Sequence, residues 1–249
     1  MEAKCEKKFP HVGLFNQGAT CYMNSLLQAL YNTPEFHYQL FKWKYNKNQH
    51  SNPPDCIPLQ LQKLFAKMLL GNQPYADTKA LIKSFQWDPI EGFEQHDVQE
   101  FCRVLFSAIE ESLFSSTEGD PDFIVKLYEG TLGSYIECLS CRSVSAREEK
   151  YRDLQLPIKS LINDKPHGSI EAALNAYFTT ERLEGAEKYD CSVCKGKMDA
   201  LKYYKLIALP PILTLQLNRF TFSHTAEVKV KLNDKMTFPL TLNMNYFLK

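Results

Sequence analysis

Apolar residues recur at helical spacing through the first half of the chain. From Cys21 to Tyr31, Met23, Leu26, Leu27 and Leu30 fall three and four residues apart, and Asn32-Thr33-Pro34 stops the pattern. This predicts a short buried helix with Cys21 in its first turn. Leu59 to Leu70 repeats the period through Leu61, Leu64, Phe65, Met68 and Leu69 and ends at Gly71. In Asp97 to Leu113, Val98, Phe101, Cys102, Leu105 and Ile109 form one stripe, whereas Asp97, Glu100 and Arg103 share another face, so Cys102 is expected in the core. Ser169 reads as the N-cap of a helix over Ile170 to Phe178. After Tyr128 the pattern becomes alternating or β-rich: Thr131 to Cys138, Arg147 to Leu156, Leu201 to Leu209, Ile212 to Phe222 and Glu227 to Leu232. Polar, proline-bearing breaks fall at Tyr45 to Pro58, Ser115 to Pro121 and Ile162 to Gly168. Helices first, then strands with one helix inserted, predict an α+β fold and not an alternating βαβ sheet.

Composition narrows the function classes. The 249 residues make one large domain or two small ones, and 44% hydrophobic content excludes wholesale disorder. Lys plus Arg and Asp plus Glu both number 29, which argues against a general nucleic-acid binder; Lys42, Lys44 and Lys47 are too short a basic run to change that. No run of about 18 apolar residues is present, so no membrane partner is expected. The opening residues lack the apolar segment of a signal peptide, so cytoplasm or nucleus is the expected compartment. Disulfides are disfavoured there, and the eight cysteines need another account. Cys5, Cys21, Cys56 and Cys102 stand alone, while Cys138/Cys141 and Cys191/Cys194 form two CxxC pairs.

The CxxC pairs point to a metal. Each pair clasps one side of a tetrahedral ion, and four thiolates make a closed structural zinc site. The segment between Cys141 and Cys191 exceeds a compact ribbon, so the two knuckles are expected to cap separate strand pairs that meet in space. A redox CxxC and metal-free cysteines are the alternatives.

Cys21 closes the segment Gly13-Leu-Phe-Asn16-Gln17-Gly18-Ala19-Thr20-Cys21, which runs directly into the apolar helix. A cysteine in a first helical turn lies at the positive end of the macrodipole among backbone N–H groups, which favours the thiolate. Asn16 upstream can present its amide N–H2 to the oxygen of a tetrahedral intermediate, with the Cys21 N–H as second donor. The competing reading is a buried cysteine that packs as a small hydrophobe.

These residues resemble a known family. Gly13 to Leu30 is similar to the cysteine box of the ubiquitin-specific proteases, Gln95 to Phe101 resembles their second box, and Pro211 to Phe220 with Leu232 to Pro239 resembles the segments that precede their histidine. Gln95 to Phe106 and Thr214 to Pro239 are most similar to the branch holding ubiquitin-specific proteases seven, forty and forty-seven. The resemblance implies a papain-like cysteine protease of thumb, fingers and palm: about residues 9–117 for the thumb, 121–206 for the fingers with the four-cysteine zinc site, and 207–249 for part of the palm. Cys21 would be the nucleophile for hydrolysis after ubiquitin's C-terminal glycine, Asn16 the oxyanion-hole donor, and Cys138, Cys141, Cys191 and Cys194 the zinc ligands at the fingertips. Asp97 and Glu100 would take an arginine of ubiquitin's tail, where spacing alone equally fits a solvated acidic face. Phe220, Phe222 and Phe238 would face the palm core.

The family's general-base histidine has no counterpart. His11, His37, His50, His96, His167 and His224 all lie outside a matching context. The expectation is therefore a chain that ends before its histidine box, with an incomplete palm, an open edge along Ile212 to Phe222, and little or no activity as written. A non-catalytic ubiquitin-binding module is the alternative. In either case the partners are ubiquitin and ubiquitinated proteins, and no organic cofactor is expected.

Overall fold

The computed structural model describes residues 11–18, 20–86, 98–114, 119–160, 163–223 and 228–248, and the chain divides into two compact units, Met1–Val125 and Lys126–Lys249. The first unit is helical. A two-residue strand β1 (Gly13–Leu14) pairs in parallel with β2 (Tyr75–Ala76). Helices α1 (Cys21–Tyr31), α2 (Pro34–Lys42) and α3 (Ile57–Leu70) lie between them in sequence, and α4 (Lys79–Ser84) and α5 (Val98–Phe114) follow. Their apolar stripes meet around Phe36, which is fully buried and has Phe65, Phe106 and Phe123 with ring centroids 6.4, 6.2 and 5.6 Å away. Burying one phenylalanine contributes roughly 1.5–3 kcal/mol, and edge-to-face pairing adds about 0.5–1.5 kcal/mol. Gln62 closes α2 by donating from Nε2 to the carbonyls of Leu40 and Trp43.

Helix α6 (Phe123–Tyr128) leads into the second unit. Strands β3 (Gly130–Cys138) and β4 (Val144–Tyr151) form a hairpin, and β5 (Leu154–Pro157) follows. Next come α7 (Ile170–Phe178), β6 (Glu181–Leu183), β7 (Tyr189–Cys191), β8 (Gly196–Met198), β9 (Ala200–Ala208), β10 (Leu215–Asn218), β11 (Phe220–Ser223) and β12 (Val228–Lys231). The main sheet is antiparallel in the order β4-β3-β9-β6. One of its faces carries Leu132 and Leu206, which pack with Leu154, Leu156, Ala173 and Leu174 into the core of this unit. The other face carries Tyr135 stacked on Tyr203, centroids 5.2 Å apart. Ser169 caps α7 as its sequence position predicts, accepting from the Ala172 N–H at 3.2 Å. No described helix is long and apolar enough to cross a membrane.

Several expectations are corrected. Pro34, read as a stop, is also a start: it stands at the head of α2, where a missing N–H costs nothing. The run Ile212 to Phe222 is two strands separated by Arg219, whose Nη1 donates to the carbonyls of Leu232 and Asp234. The first of these, β10, pairs with β5 in a two-stranded parallel sheet. Phe220 is 44% exposed on the β11–β12 ribbon, and Phe238, next to the isolated bridge of Thr237 to Ser169, is 74% exposed. The side chain of Phe222 lies outside the described residues. Cys102 is half-buried on the margin of its stripe and not in the core.

Candidate active site and metal-binding cysteines

In the first unit, Cys21 is the first residue of α1 and is exposed, which excludes the buried-hydrophobe reading. The loop before it is strapped to α1 by a polar stripe at four-residue spacing. Asn24 donates from Nδ2 to the Phe15 carbonyl at 3.3 Å, and Gln28 from Nε2 to the Val12 carbonyl at 2.9 Å. Gln17 ties the same loop to Asp77 at 2.9 Å. Asn24 and Gln28 are absent from the sequence reading; their four-residue spacing within α1 is the signal that finds them.

Asn16 lies on the exposed loop after β1, and its Oδ1 accepts from the Gly18 N–H at 3.2 Å and the Thr20 hydroxyl at 3.0 Å. Among the described residues its N–H2 group makes no hydrogen bond and stays available as a donor. No side chain caps the start of α1, although Thr20 occupies the N-cap. A cysteine sulfur, an amide donor and a helix start thus share one loop-to-helix junction, which offers a nucleophile and oxyanion donors for acyl transfer but, among the described residues, no base.

Glu100 is exposed in the first turn of α5, and Asp97 lies outside the described residues. Tyr22 is close enough to both Cys21 and Glu100 to feel their charge. Its ring meets Phe101 edge-on at 6.1 Å, and burial first, then Cys21 and Glu100, raise its hydroxyl above the ordinary tyrosine value. His37 faces the Tyr31 carbonyl at 3.0 Å. His50 donates from Nε2 to the Ser112 carbonyl, accepts the Asn46 N–H at Nδ1 and packs on Trp43. Both imidazoles hold structural positions; His96 and His224 lie outside the described residues.

In the second unit, the turn after β3 carries Cys138 and Cys141, and the β7–β8 turn carries Cys191 and Cys194. Their four sulfurs lie within 4.8 Å of one another, with Cys138 to Cys194 at 3.9 Å and Cys141 to Cys191 at 3.7 Å. A tetrahedron with metal–sulfur bonds of about 2.3 Å has edges of about 3.8 Å, so these cysteines fit a tetrahedral ion, whereas a disulfide would need far closer approach. The two knuckles share one design: the Arg142 N–H returns to the Cys138 carbonyl at 2.9 Å and the Lys195 N–H to the Cys191 carbonyl at 2.8 Å, with both residues at positive φ. The Leu139 N–H bonds the Asp199 carbonyl and joins one knuckle to the strand beyond the other. Ser143, also unremarked in the sequence, places its hydroxyl 3.0 Å from the Cys141 sulfur and 3.7 Å from that of Cys191. The Cys194 N–H holds the Cys191 thiol down to about 6, while hydrogen bonding to Cys141 pushes Cys194 up to about 12. An entering divalent ion would displace the remaining protons.

The family model for ubiquitin carboxyl-terminal hydrolases matches residues 12–249. Ubiquitin carboxyl-terminal hydrolase 47 of Drosophila melanogaster is 44% identical over 96% of this chain and 15% of its own length. The Homo sapiens protein of that name is 42% identical over 96% of this chain and 17% of its own, and ubiquitin carboxyl-terminal hydrolase 40 of Homo sapiens 40% identical over 99% and 20%. The chain thus spans between 15% and 20% of the length of these curated relatives. A solved structure described as the SAGA Ubp8/Sgf11/Sus1/Sgf73 DUB module bound to ubiquitin aldehyde superposes with a TM-score of 0.80 at 26% identity, covering 100% of this chain and 56% of the matched one. Sequence and fold agree: this chain belongs to the ubiquitin carboxyl-terminal hydrolase family and has the α+β, papain-like fold of its ubiquitin-specific proteases.

Proposed function

We propose that this chain is the catalytic segment of a cysteine-type deubiquitinase that hydrolyses the bond after ubiquitin's C-terminal glycine. The observation that carries the reading is the junction of Asn16, Thr20 and Cys21, where an exposed thiol directly follows the threonine that holds an amide whose donor end is open. The Cys21 thiolate attacks the glycine carbonyl; Asn16 Nδ2 and the Cys21 N–H take the developing oxyanion. The C–N bond then breaks, the amine leaves with a proton, and water hydrolyses the thioester to restore the thiol. Glu100 and Asp97 receive an arginine of the ubiquitin tail, the neighbourhood of Glu100 and Cys21 around Tyr22 supporting this for Glu100. The four cysteines hold structural zinc at the tip of the fingers, and residues 9–117, 121–206 and 207–249 serve as thumb, fingers and part of the palm.

None of the six histidines is assigned as the base. None stands in a context like the family's histidine box, and two of the four described ones are engaged with main-chain groups, so none of the six is read as the base imidazole. Losing that group costs roughly 10⁴-fold or more in turnover. The test compares the 249-residue chain with the full-length protein on a ubiquitin–fluorophore conjugate. Full-length protein should hydrolyse it, Cys21→Ala should abolish this, and the short chain should be inactive. Ordinary Cys21-dependent turnover by the short chain would remove the missing-base reading. Ubiquitin binding with no Cys21-dependent reaction in either form would leave a binding module in place of an enzyme.

A further inference from the structure

We propose that Thr20 is a positioning residue for the reaction: its hydroxyl fixes the Asn16 amide with the N–H2 end presented to the oxyanion. The inference rests on the deubiquitinase reading of the preceding subsection and adds a residue to it.

Thr20 stands at the N-cap of α1, where a threonine hydroxyl ordinarily accepts from the first-turn N–H groups. Here the side chain makes no such bond. Its Oγ1 instead accepts the Gln17 N–H at 3.0 Å and donates its own proton to Asn16 Oδ1 at 3.0 Å. The side chain is buried, Thr20 being 1% exposed, so water does not compete for either bond. A second donor, the Gly18 N–H, reaches the same Oδ1 at 3.2 Å, which requires the backbone of Gly18 at φ +118°, a value that disfavours any residue with a Cβ.

Two donors on one amide oxygen settle which end of Asn16 faces which way. Rotating the amide by half a turn would set its N–H2 against the Gly18 N–H and leave the Thr20 proton without an acceptor. The unsatisfied groups make that rotamer costly, so the donor end stays outward and no reorientation is needed as charge develops on the substrate. A valine at this position keeps the shape and removes the bond, leaving only the weaker Gly18 restraint. A serine keeps the bond.

The experiment is steady-state hydrolysis of a ubiquitin–fluorophore conjugate by the full-length protein and its Thr20→Val, Thr20→Ser, Asn16→Ala and Asn16→Ala/Thr20→Val variants. Thr20→Val is expected to lower kcat by about 10- to 100-fold with KM within about twofold, since only the transition state uses the aligned donor. Thr20→Ser should retain kcat to within about threefold, and Thr20→Val should change little once Asn16 is already alanine. The unchanged KM and the serine variant separate this outcome from misfolding. A parent protein without Cys21-dependent hydrolysis would overturn the deubiquitinase reading and this inference together. An active parent in which Thr20→Val costs nothing, costs as much in the absence of Asn16, or is matched by Thr20→Ser would overturn this inference alone.

Discussion

Arg142 and Lys195 hold backbone φ angles of 59° and 55°, each at the fourth position after the first cysteine of its knuckle. That left-handed conformation costs an L-residue about 1–2 kcal/mol, and glycine largely escapes it. Arg142 also pairs with Glu137 at 3.1 Å, whereas among the described residues Lys195 makes no ion pair, which makes Lys195 the cleaner probe. Lys195→Gly should raise stability by about 0.5–1 kcal/mol in chemical denaturation after its larger chain entropy is counted. Lys195→Val should lower it by more than about 1 kcal/mol, because a branched side chain is worst at positive φ. At this scale the sequence is legible where a residue type suggests a chemistry, and Cys21, Asn16 and the paired cysteines were candidates on that ground. Thr20 and Ser143 were not, because a hydroxyl acquires its partner only from the turn that folds around it, and nothing in a linear string distinguishes a capping threonine from one turned back onto the loop.

Among the elements, β3 shows how neighbours compensate for weak strand residues. It contains Gly130 and Gly133, poor strand formers, and each is roofed by an aromatic ring: Tyr151 across the ladder and Tyr135 two residues along. A Cβ on Gly133 would come within 2.6 Å of the Tyr135 ring, which is itself stacked on Tyr203. Gly133→Ala should therefore destabilise the protein by about 1–3 kcal/mol despite alanine's lower entropy cost, read as a lowered denaturation midpoint; the same substitution at Gly168, where a Cβ meets nothing within 4 Å but φ is +75°, isolates the backbone contribution. Long periodic helices such as α3 and α5 were legible because the core that fixes them is written in their own spacing. The helices α2 and α4 are not legible in the sequence: Pro34 signals a stop as readily as a start, and Lys79–Ser84 is a six-residue helix with no side-chain cap, too short to show a period. The exposure of Phe220 and Phe238 was illegible for a different reason, since which side of a strand is covered depends on layers that the strand does not encode.

The whole molecule has two compact units with separate cores, one centred on Phe36 and one on Leu132, Leu154, Leu156 and Leu206. Two cores permit two unfolding transitions. With zinc bound as proposed, a chelator should lower only the transition of the second unit, and Phe36→Ala only that of the first, by about 3–5 kcal/mol; calorimetry on the purified chain reads both. A single transition that both perturbations shift together would show one cooperative unit instead. With zero net charge the chain has no overall field that favours a partner of either sign. The four-cysteine cluster also sits at one end of the β3–β9 ladder, where Cys138 opposes Ala200 and Leu139 bonds Asp199. Strands in such a ladder can slide by two residues and still present the same faces, so side-chain alternation alone does not forbid a shifted alignment. An ion clasped by cysteines on both sides would work like a pawl: the strands could not creep past each other without tearing a ligand away. Demetallated protein would then suffer less from lost binding energy than from misaligned strands, a heterogeneity that refolding would trap and that added zinc would not reverse.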